Sequence, residues 1–335
     1  MSEIIIPTHA VVDLDAFKYA AAYVGEKKSI IAHHKTEGWS EPAKSRTAFY
    51  GHWKKKAGGW LAEANKGRES PWLPDEFEIE DVSVPEPIQN VLHTAKLMVD
   101  DALFESGAQT YEMYMGKGDS FRVELSTLQK YKGDRENVVK PYHLDEVSDY
   151  LGRRYSAEII TDIEADDMCV IRAYKQANHF VLGEDKDYWG SPVNFRDLNR
   201  KHRGTVNCDK LGHLFLDAKG DVRGEGRIHL YYQMISEDSV DCYKANYHSE
   251  TEWGSKSAFK VLEGLQSDKE CFQAMVDTFK MLYPEPKVVK GWRGDDIAID
   301  WLYVMQEMMN MAKMKRTVDE PLVNVKDVLT RMGIE

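Results

Sequence analysis

The chain has 335 residues, 42% of them apolar and 30% charged, enough to bury one large core or two modest ones. No stretch approaches the ~20 apolar residues of a membrane span, and Met1 to Ala10 has neither a basic region nor a long apolar run, so neither a membrane anchor nor a signal peptide is expected. The net charge of −12 speaks at face value against nucleic acid, but positive charge gathers in Lys44 to Lys56, Lys130 to Lys140 and Arg196 to Arg203, which leaves room for a basic DNA track.

Residues 10–15 read as a short buried strand carrying Asp13 and Asp15, which an extended chain points to one side. Residues 23–85 are polar, basic and aromatic-rich, with Trp39, Phe49, Tyr50, Trp53, Trp60 and Trp72, and read as helices and surface loops without a core of their own. Ile88, Val91, Leu92, Ala95 and Met98 recur at helical spacing between Pro87 and Gly107. Gln109 to Met115 is the next strand, followed by a glycine-bearing turn from Gly116 to Gly118. Residues 143–150 predict a helix, 157–160 a strand, 164–176 a helix, and 179–183 a buried strand with Asp185 at its end. This alternation predicts an α/β fold, a mostly parallel central sheet with helices on both faces, and ligands in such sheets bind beyond the carboxyl ends of the strands. After Arg203 come glycine-bearing turns over 204–228 and helices around 230–235, 256–265, 268–282 and 296–315, then a polar tail with one short helix. The expected division is 1–205, α/β, and 206–335, helical. Cys169, Cys208, Cys242 and Cys271 lie far apart without a CxxC pair, which reads as reduced thiols in a cytoplasmic protein.

The acidic residues form short clusters: Glu164, Asp166 and Asp167 at a helix start, and Asp185 and Asp187 after the following strand. Acids in a first turn cap free N–H groups and suit the macrodipole, yet three in four residues exceed what a cap needs. Asp185 and Asp187 alone would read as a solvated loop, and Asp238 and Asp241 as a helix end. Asp13 and Asp15 differ, because an unpaired carboxylate on an apolar strand is costly. Four such groups on one predicted rim call for a hard divalent cation with oxygen ligands. Arg122, Lys132, Arg135 and Lys140 form the basic counterpart, suited to gripping phosphate and steadying transition-state charge, with Phe121 and Tyr131 interleaved to stack on bases.

Taken in order, Asp13, Phe121 and Arg122, Tyr131 to Arg135, Glu164 to Asp167, Asp185 to Asp187, Asp238 to Asp241 and Trp253 to Ala258 resemble the flap endonuclease/5′→3′ exonuclease family, most of all its bacteriophage 5′→3′ exonucleases. The resemblance spans residues 10–265 and implies a PIN-like nuclease domain, a helical gateway around 119–141, and a helix-turn-helix-like duplex-binding motif around 230–265. It implies two Mg²⁺ ions, replaceable by Mn²⁺, held by Asp13, Asp15, Glu164, Asp166, Asp167, Asp185, Asp187, Asp238 and Asp241. It implies catalytic roles for Lys132, Arg135 and Arg122, and DNA contacts from Tyr131, Lys140, Gly254, Ser255, Lys256 and Ser257. Backbone N–H groups at a helix start suit a phosphate. The implied activity is Mg²⁺-dependent release of nucleotides or short fragments from 5′ ends of duplex DNA, with flap cleavage and removal of RNA paired to DNA. The implied partner is DNA with a free 5′ end, a flap or an RNA–DNA duplex, with no membrane. The implied protein is a monomer in the cytoplasm, that of an infected bacterium if phage-encoded.

The chain departs from the family pattern at three places. An aspartate expected shortly before Phe121 is missing, Gly116 to Asp119 standing there instead, so that ligand is absent or Asp119 takes its place from a shifted position. Glu237 stands where the pattern has glycine, and Asn246 to Trp253 lacks the glycines through which many relatives bind a monovalent ion such as K⁺. The aromatic, basic segment Gly38 to Trp72 has no counterpart and is expected to lie on the DNA path or cap the 5′ end. Two competing readings are a structure-specific DNA-binding protein with impaired catalysis and a single-strand ribonuclease of the PIN fold. Gly254 to Ser257 lacks the spacing of an NTPase phosphate loop. The eleven histidines include no HExxH or paired-ligand spacing, so zinc is not expected. The methionines from Met305 to Met314 read as helix core.

Overall fold

The computed structural model describes residues 6–52 and 58–334, so Trp53 and Lys54 to Lys56, counted above among the aromatic and basic residues, lie outside the described residues. The chain runs through β1 (His9–Asp13), α1 (Leu14–Val24), β2 (Glu26–His34), β3 (Ser40–Ala43), α2 (Arg46–Tyr50), α3 (Trp60–Ala64), β4 (Phe77–Pro85) and α4 (Ile88–Ser106). It continues through β5 (Thr110–Ser120), α5 (Phe121–Leu125), α6 (Leu144–Tyr155), β6 (Glu158–Asp162), α7 (Ala165–Ala173), β7 (His179–Gly183), β8 (Asn194–Asp197) and β9 (Val206–Asn207). The last third holds β10 (His213–Leu216), β11 (Val222–Glu225), α8 (Arg227–Ile235), β12 (Glu237–Asp238), β13 (Tyr243–Lys244), α9 (Ser255–Leu262) and α10 (Asp268–Leu282). It closes with β14 (Lys287–Lys290), β15 (Asp296–Ile299), α11 (Trp301–Ala312) and α12 (Val325–Met332).

Two compact units result. The larger comprises Met1–Phe17, Met98–Val139 and Leu151–Glu335 and holds a six-stranded sheet in the order β6-β5-β1-β7-β8-β9. The sheet is α/β in character and parallel except at β9, as the alternation of elements predicts. β1 and β7 take the middle because Ala10, Val11 and Val12, and Phe180, Val181 and Leu182, are apolar on both faces and fully buried. α7 packs Cys169, Val170 and Ala173 into the cluster that contains Val11 and Val181. The expected strand over residues 10–15 ends earlier than its acids: Leu14 opens α1, so Asp15 sits on a helix and shares no strand face with Asp13.

The larger unit runs through residue 205 without a break, so the change of architecture expected there happens inside one unit. Its carboxyl-terminal helices share one core, in which Met234, Phe272, Met275, Phe279, Met305 and Met308 meet; the expected methionine-rich helix core holds from Met305 to Met311, while Met314 lies past α11 and packs in the cluster with Val11 and Val181. The expected helix over 296–315 is corrected: Asp296–Ile299 is a strand of the β14–β15 hairpin, and Asp300 then caps α11 by accepting from the Tyr303 N–H at 2.7 Å. All four cysteines are buried and free. Among the described residues no helix is long and apolar enough to cross a membrane.

The smaller unit, Lys18–Leu97 with Lys140–Tyr150, overturns the expectation of loops without a core. β2 pairs antiparallel with both β3 and β4, and Ile30, Ala32, Phe49, Leu61 and Phe77 form a core of their own. Trp60 stacks on Phe49 with ring centroids 5.2 Å apart, and the indole N–H groups of Trp39 and Trp72 both donate to the Glu37 carboxylate, at 2.7 and 3.2 Å. Trp39, Trp60 and Trp72 therefore pack on one another, and Ile30 and Ala32 of β2 with Phe77 and Ile79 of β4, each two residues apart, supply the apolar face of the sheet.

Candidate metal centre

The carboxyl ends of β1 and β7 and the amino end of α7 bring the acidic clusters of the larger unit together. Asp13 ends β1, and its Oδ1 accepts from the Asp15 N–H at 2.8 Å. The buried Tyr188 hydroxyl donates to its Oδ2 at 3.5 Å. Gly183, the last residue of β7, is needed for this packing, since a Cβ there would stand 2.9 Å from the Tyr188 ring. Glu164 is the N-cap residue of α7, with Asp166 and Asp167 in its first turn, and the three offer carboxylate oxygens within 4.8 Å of one another. Asp185 caps the short 3₁₀ turn after β7 by accepting from the Asp187 N–H at 2.8 Å. Asp187, Asp238 and Asp241 form a second group of oxygens within 4.8 Å.

Two side chains tie the groups together. The Tyr131 hydroxyl lies 2.9 Å from Glu164 and 3.2 Å from Asp241. Lys132 Nζ donates to Glu164 and stands 3.8 Å from Asp241. Lys132 adopts a left-handed backbone, φ +54, which costs a non-glycine residue roughly 1–2 kcal/mol. Its N–H donates to the Asp241 carbonyl at 3.0 Å, which holds it there. Arg135, half exposed, donates to Asp241 at 3.2 Å from the rim.

Charge in this cluster is not balanced locally. Burial, with Glu164 and Asp167 adding to it, drives the Asp166 carboxyl well above the usual carboxylate range. Burial followed by Asp185 and Asp241 does the same to Asp187. Burial also raises Asp185 and Asp241. At Glu164 burial pushes the same way, but Arg122 and Lys132 outweigh it and hold that carboxyl below its ordinary value. An all-oxygen donor set whose members resist ionising beside one another is what a hard divalent cation relieves.

Not every expected site residue faces that centre. Arg122 is buried, and all five of its N–H donors are spent inside the protein. They reach Asp167 at 2.5 and 3.0 Å, Glu164 at 2.7 Å, and the carbonyls of Met311 and Lys313 at 3.0 and 3.1 Å. The Lys315 N–H completes the shell of Asp167 at 2.8 Å. Arg122, expected at a phosphate, is thus held in a buried ion pair that joins α5, α7 and the segment after α11, while Asp167 stays one of three carboxylates whose oxygens lie within 4.8 Å of one another. Tyr131, expected to stack on bases, is corrected too: its ring is 4% exposed and belongs to the helical core. Asp238 has its oxygens taken by Lys186 at 2.6 Å and by the N–H groups of Val240 and Asp241, so it shapes the turn that presents Asp241.

The stretch before Phe121, where the resemblance leads one to expect an aspartate, packs against Asp15. Gly116 lies on β5, its N–H donates to Asp15 at 3.1 Å, and a Cβ at Gly116 would be 3.0 Å from Asp15 Oδ2. The Asp15 carboxylate thus fills the space a β5 side chain would take, while Asp119 is exposed farther along the strand. The region around 119–141 contains only α5 and a 3₁₀ turn over Gly133–Asn137. Lys140 is exposed, and Gly254, Ser255, Lys256 and Ser257 form the start of α9, where Gly254 and Ser257 line an open groove with Asn246, Tyr247 and Trp253. Sequence reasoning missed Gln233, which donates to Asp187, and Lys186 and Tyr188. The lone glutamine in the apolar run 230–235 was the available signal. No protein-family model matches the chain, and comparison with curated protein sequences finds no match.

Proposed function

We propose that this chain is a metal-dependent nuclease with a PIN-like α/β domain that hydrolyses phosphodiesters at 5′ ends and 5′ flaps of duplex DNA, RNA paired to DNA included. The observation that carries the reading is the pair of carboxylate groups, one with Glu164 and Asp166 and one with Asp187 and Asp241, bridged by Lys132 and Tyr131, with Asp13 at the carboxyl end of β1 and Asp185 just beyond that of β7. The donor set is all oxygen and fits Mg²⁺, with Mn²⁺ as a substitute. Asp13, Glu164 and Asp166 would hold one ion, and Asp185, Asp187 and Asp241 a second. When bound, Mg²⁺ supplies Lewis-acid polarisation of the phosphodiester and an activated water nucleophile.

The chain's own groups do the rest. Lys132 exchanges its contact with Glu164 for a phosphoryl oxygen and brings positive charge to where negative charge grows. Arg135 grips the phosphate from the rim. Gln233 fixes Asp187, and Asp238 fixes Asp241, which keeps the ligands in place before substrate arrives. The start of α9, with Lys256 exposed beside it, suits the duplex backbone and reads no sequence. A DNA-binding protein with impaired catalysis would draw support from the missing aspartate of β5, and the Asp15 carboxylate over Gly116 weighs against it.

Incubating 5′-labelled duplex, flap, RNA–DNA hybrid and single-stranded RNA with the protein, in Mg²⁺ or in EDTA, tests the reading. Cleavage of the first three in Mg²⁺ alone is expected. Intact duplex and flap would refute it, and cleavage of single-stranded RNA only would replace it with the ribonuclease reading.

A further inference from the structure

The opposite end of the same sheet carries a second, chemically different cluster. His9 opens β1, and its register partners are Thr110 on β5 and His179 on β7, so the amino ends of three adjacent central strands meet there. Glu112, two residues beyond Thr110, projects to the same face of β5. One ligand atom each from His9, Glu112 and His179 lie within 4.8 Å of one another, and His9 Nε2 is 3.7 Å from Glu112 Oε1. The two imidazole rings lie with centroids 4.3 Å apart. By strand rise the cluster is about 13 Å from the carboxylate centre.

Hydrogen bonds from outside the cluster orient two of its members. His9 Nδ1 sits 2.8 Å from the Thr110 hydroxyl, and donating a proton there leaves the Nε2 lone pair facing Glu112. Arg172 and the Tyr114 hydroxyl grip the Glu112 carboxylate at 2.8–3.1 Å. The backbone of His179 is fixed at both ends, its N–H by the Gln176 carbonyl and its carbonyl by the Asn194 amide. Its Nδ1 is nonetheless buried with no hydrogen-bond partner. A simple ion pair beside two tilted rings explains Glu112 and Arg172 but leaves that nitrogen costing free energy for nothing.

We propose that His9, Glu112 and His179 form a site for a borderline transition-metal cation, Zn²⁺ by preference, that cross-links β5, β1 and β7 at the end of the sheet opposite the carboxylate centre. Two imidazole nitrogens and one carboxylate oxygen make a three-ligand set with the fourth position open to solvent, which selects Zn²⁺ over Mg²⁺. Tetrahedral binding at about 2.0–2.2 Å needs the three side chains to draw in by about an ångström. The histidine spacing gave no warning because the ligands come from strands 103 and 170 positions apart along the chain, paired only in the sheet.

The test is a Zn²⁺ titration of the full chain against a chromophoric chelator, in excess Mg²⁺ to occupy the carboxylates. Wild type is expected to take up one tight Zn²⁺, Asp185→Asn to retain it, and His9→Gln and His179→Gln to weaken it by about 100-fold or more. No tight Zn²⁺ in wild type, or equal uptake by the histidine variants, overturns the proposal. If those variants fail to fold, wild type decides: Zn²⁺ must raise its melting temperature in excess Mg²⁺ and shield His9 and His179 from carbethoxylation. Rings modified equally with and without Zn²⁺ overturn it as surely.

Discussion

Asp166 and Asp187 are the residues at which structure and chemistry pull hardest against each other. Both carboxyls resist ionisation, first through burial and then through neighbouring acids. The folded state therefore holds their protons more tightly than the unfolded chain does. The stability this confers is complete below about pH 4, the unfolded carboxylate pKa, and is lost as the pH climbs through the raised folded values. Asp166→Asn and Asp187→Asn are accordingly expected to be more stable than wild type in EDTA at pH 7–8, on the order of 1 kcal/mol, with the advantage vanishing near pH 4. Urea denaturation across that range checks it, and variants weaker than wild type at pH 8 would contradict it. Lys132 belongs to the same scale. Lys132→Ala is expected to lower turnover by about 10²–10³-fold while duplex affinity changes little. Equal losses in both would reduce Lys132 to a phosphate clamp.

At the scale of elements, the centre depends on two packing devices. Gly183 leaves room for the Tyr188 ring beneath Asp13, so Gly183→Ala should cost about 1–3 kcal/mol in a denaturant titration. Arg122 bolts α5 to α7 and to the chain after α11. Arg122→Ala leaves the fully buried Asp167 without a counter-charge and should cost about 3–5 kcal/mol, visible as a fall in melting temperature. A variant that melts like wild type but loses cleavage would instead restore Arg122 to the phosphate. These devices also explain what the sequence could and could not convey. β1 and β7 were legible because a central parallel strand is an unbroken apolar run. Arg122 was misread because a buried and an exposed arginine are spelled alike, and its partner lies 45 residues away. The sheet of the smaller unit was missed because charged residues open β2 (Glu26, Lys27, Lys28) and recur in β4 (Glu78, Glu80, Asp81), while Trp39, Trp60 and Trp72, which pack on its core, come from outside the strands. Asp15 was assigned to a strand because Asp13 was read as a strand residue, when its carboxylate accepts from the Asp15 N–H and so caps the helix that Leu14 opens.

Across the whole molecule, charge is sorted by role. The chain is acidic by twelve charges, and one group of its carboxylates is drawn into the centre near the carboxyl ends of β1 and β7, where Lys132 and Arg135 face it. The imidazoles of His9 and His179 sit at the amino ends of the same strands. One sheet thus carries carboxylates at one end and two imidazoles with a carboxylate at the other. The central claim is that the first of these ends is a cation-dependent cutting centre. Turnover of a 5′-labelled duplex at saturating Mg²⁺, for wild type and for Asp185→Asn, tests it most directly. Wild type is expected to cleave, and the variant to lose at least about 10²–10³-fold in turnover with duplex binding retained. An Asp185→Asn protein that cuts as fast as wild type would contradict it.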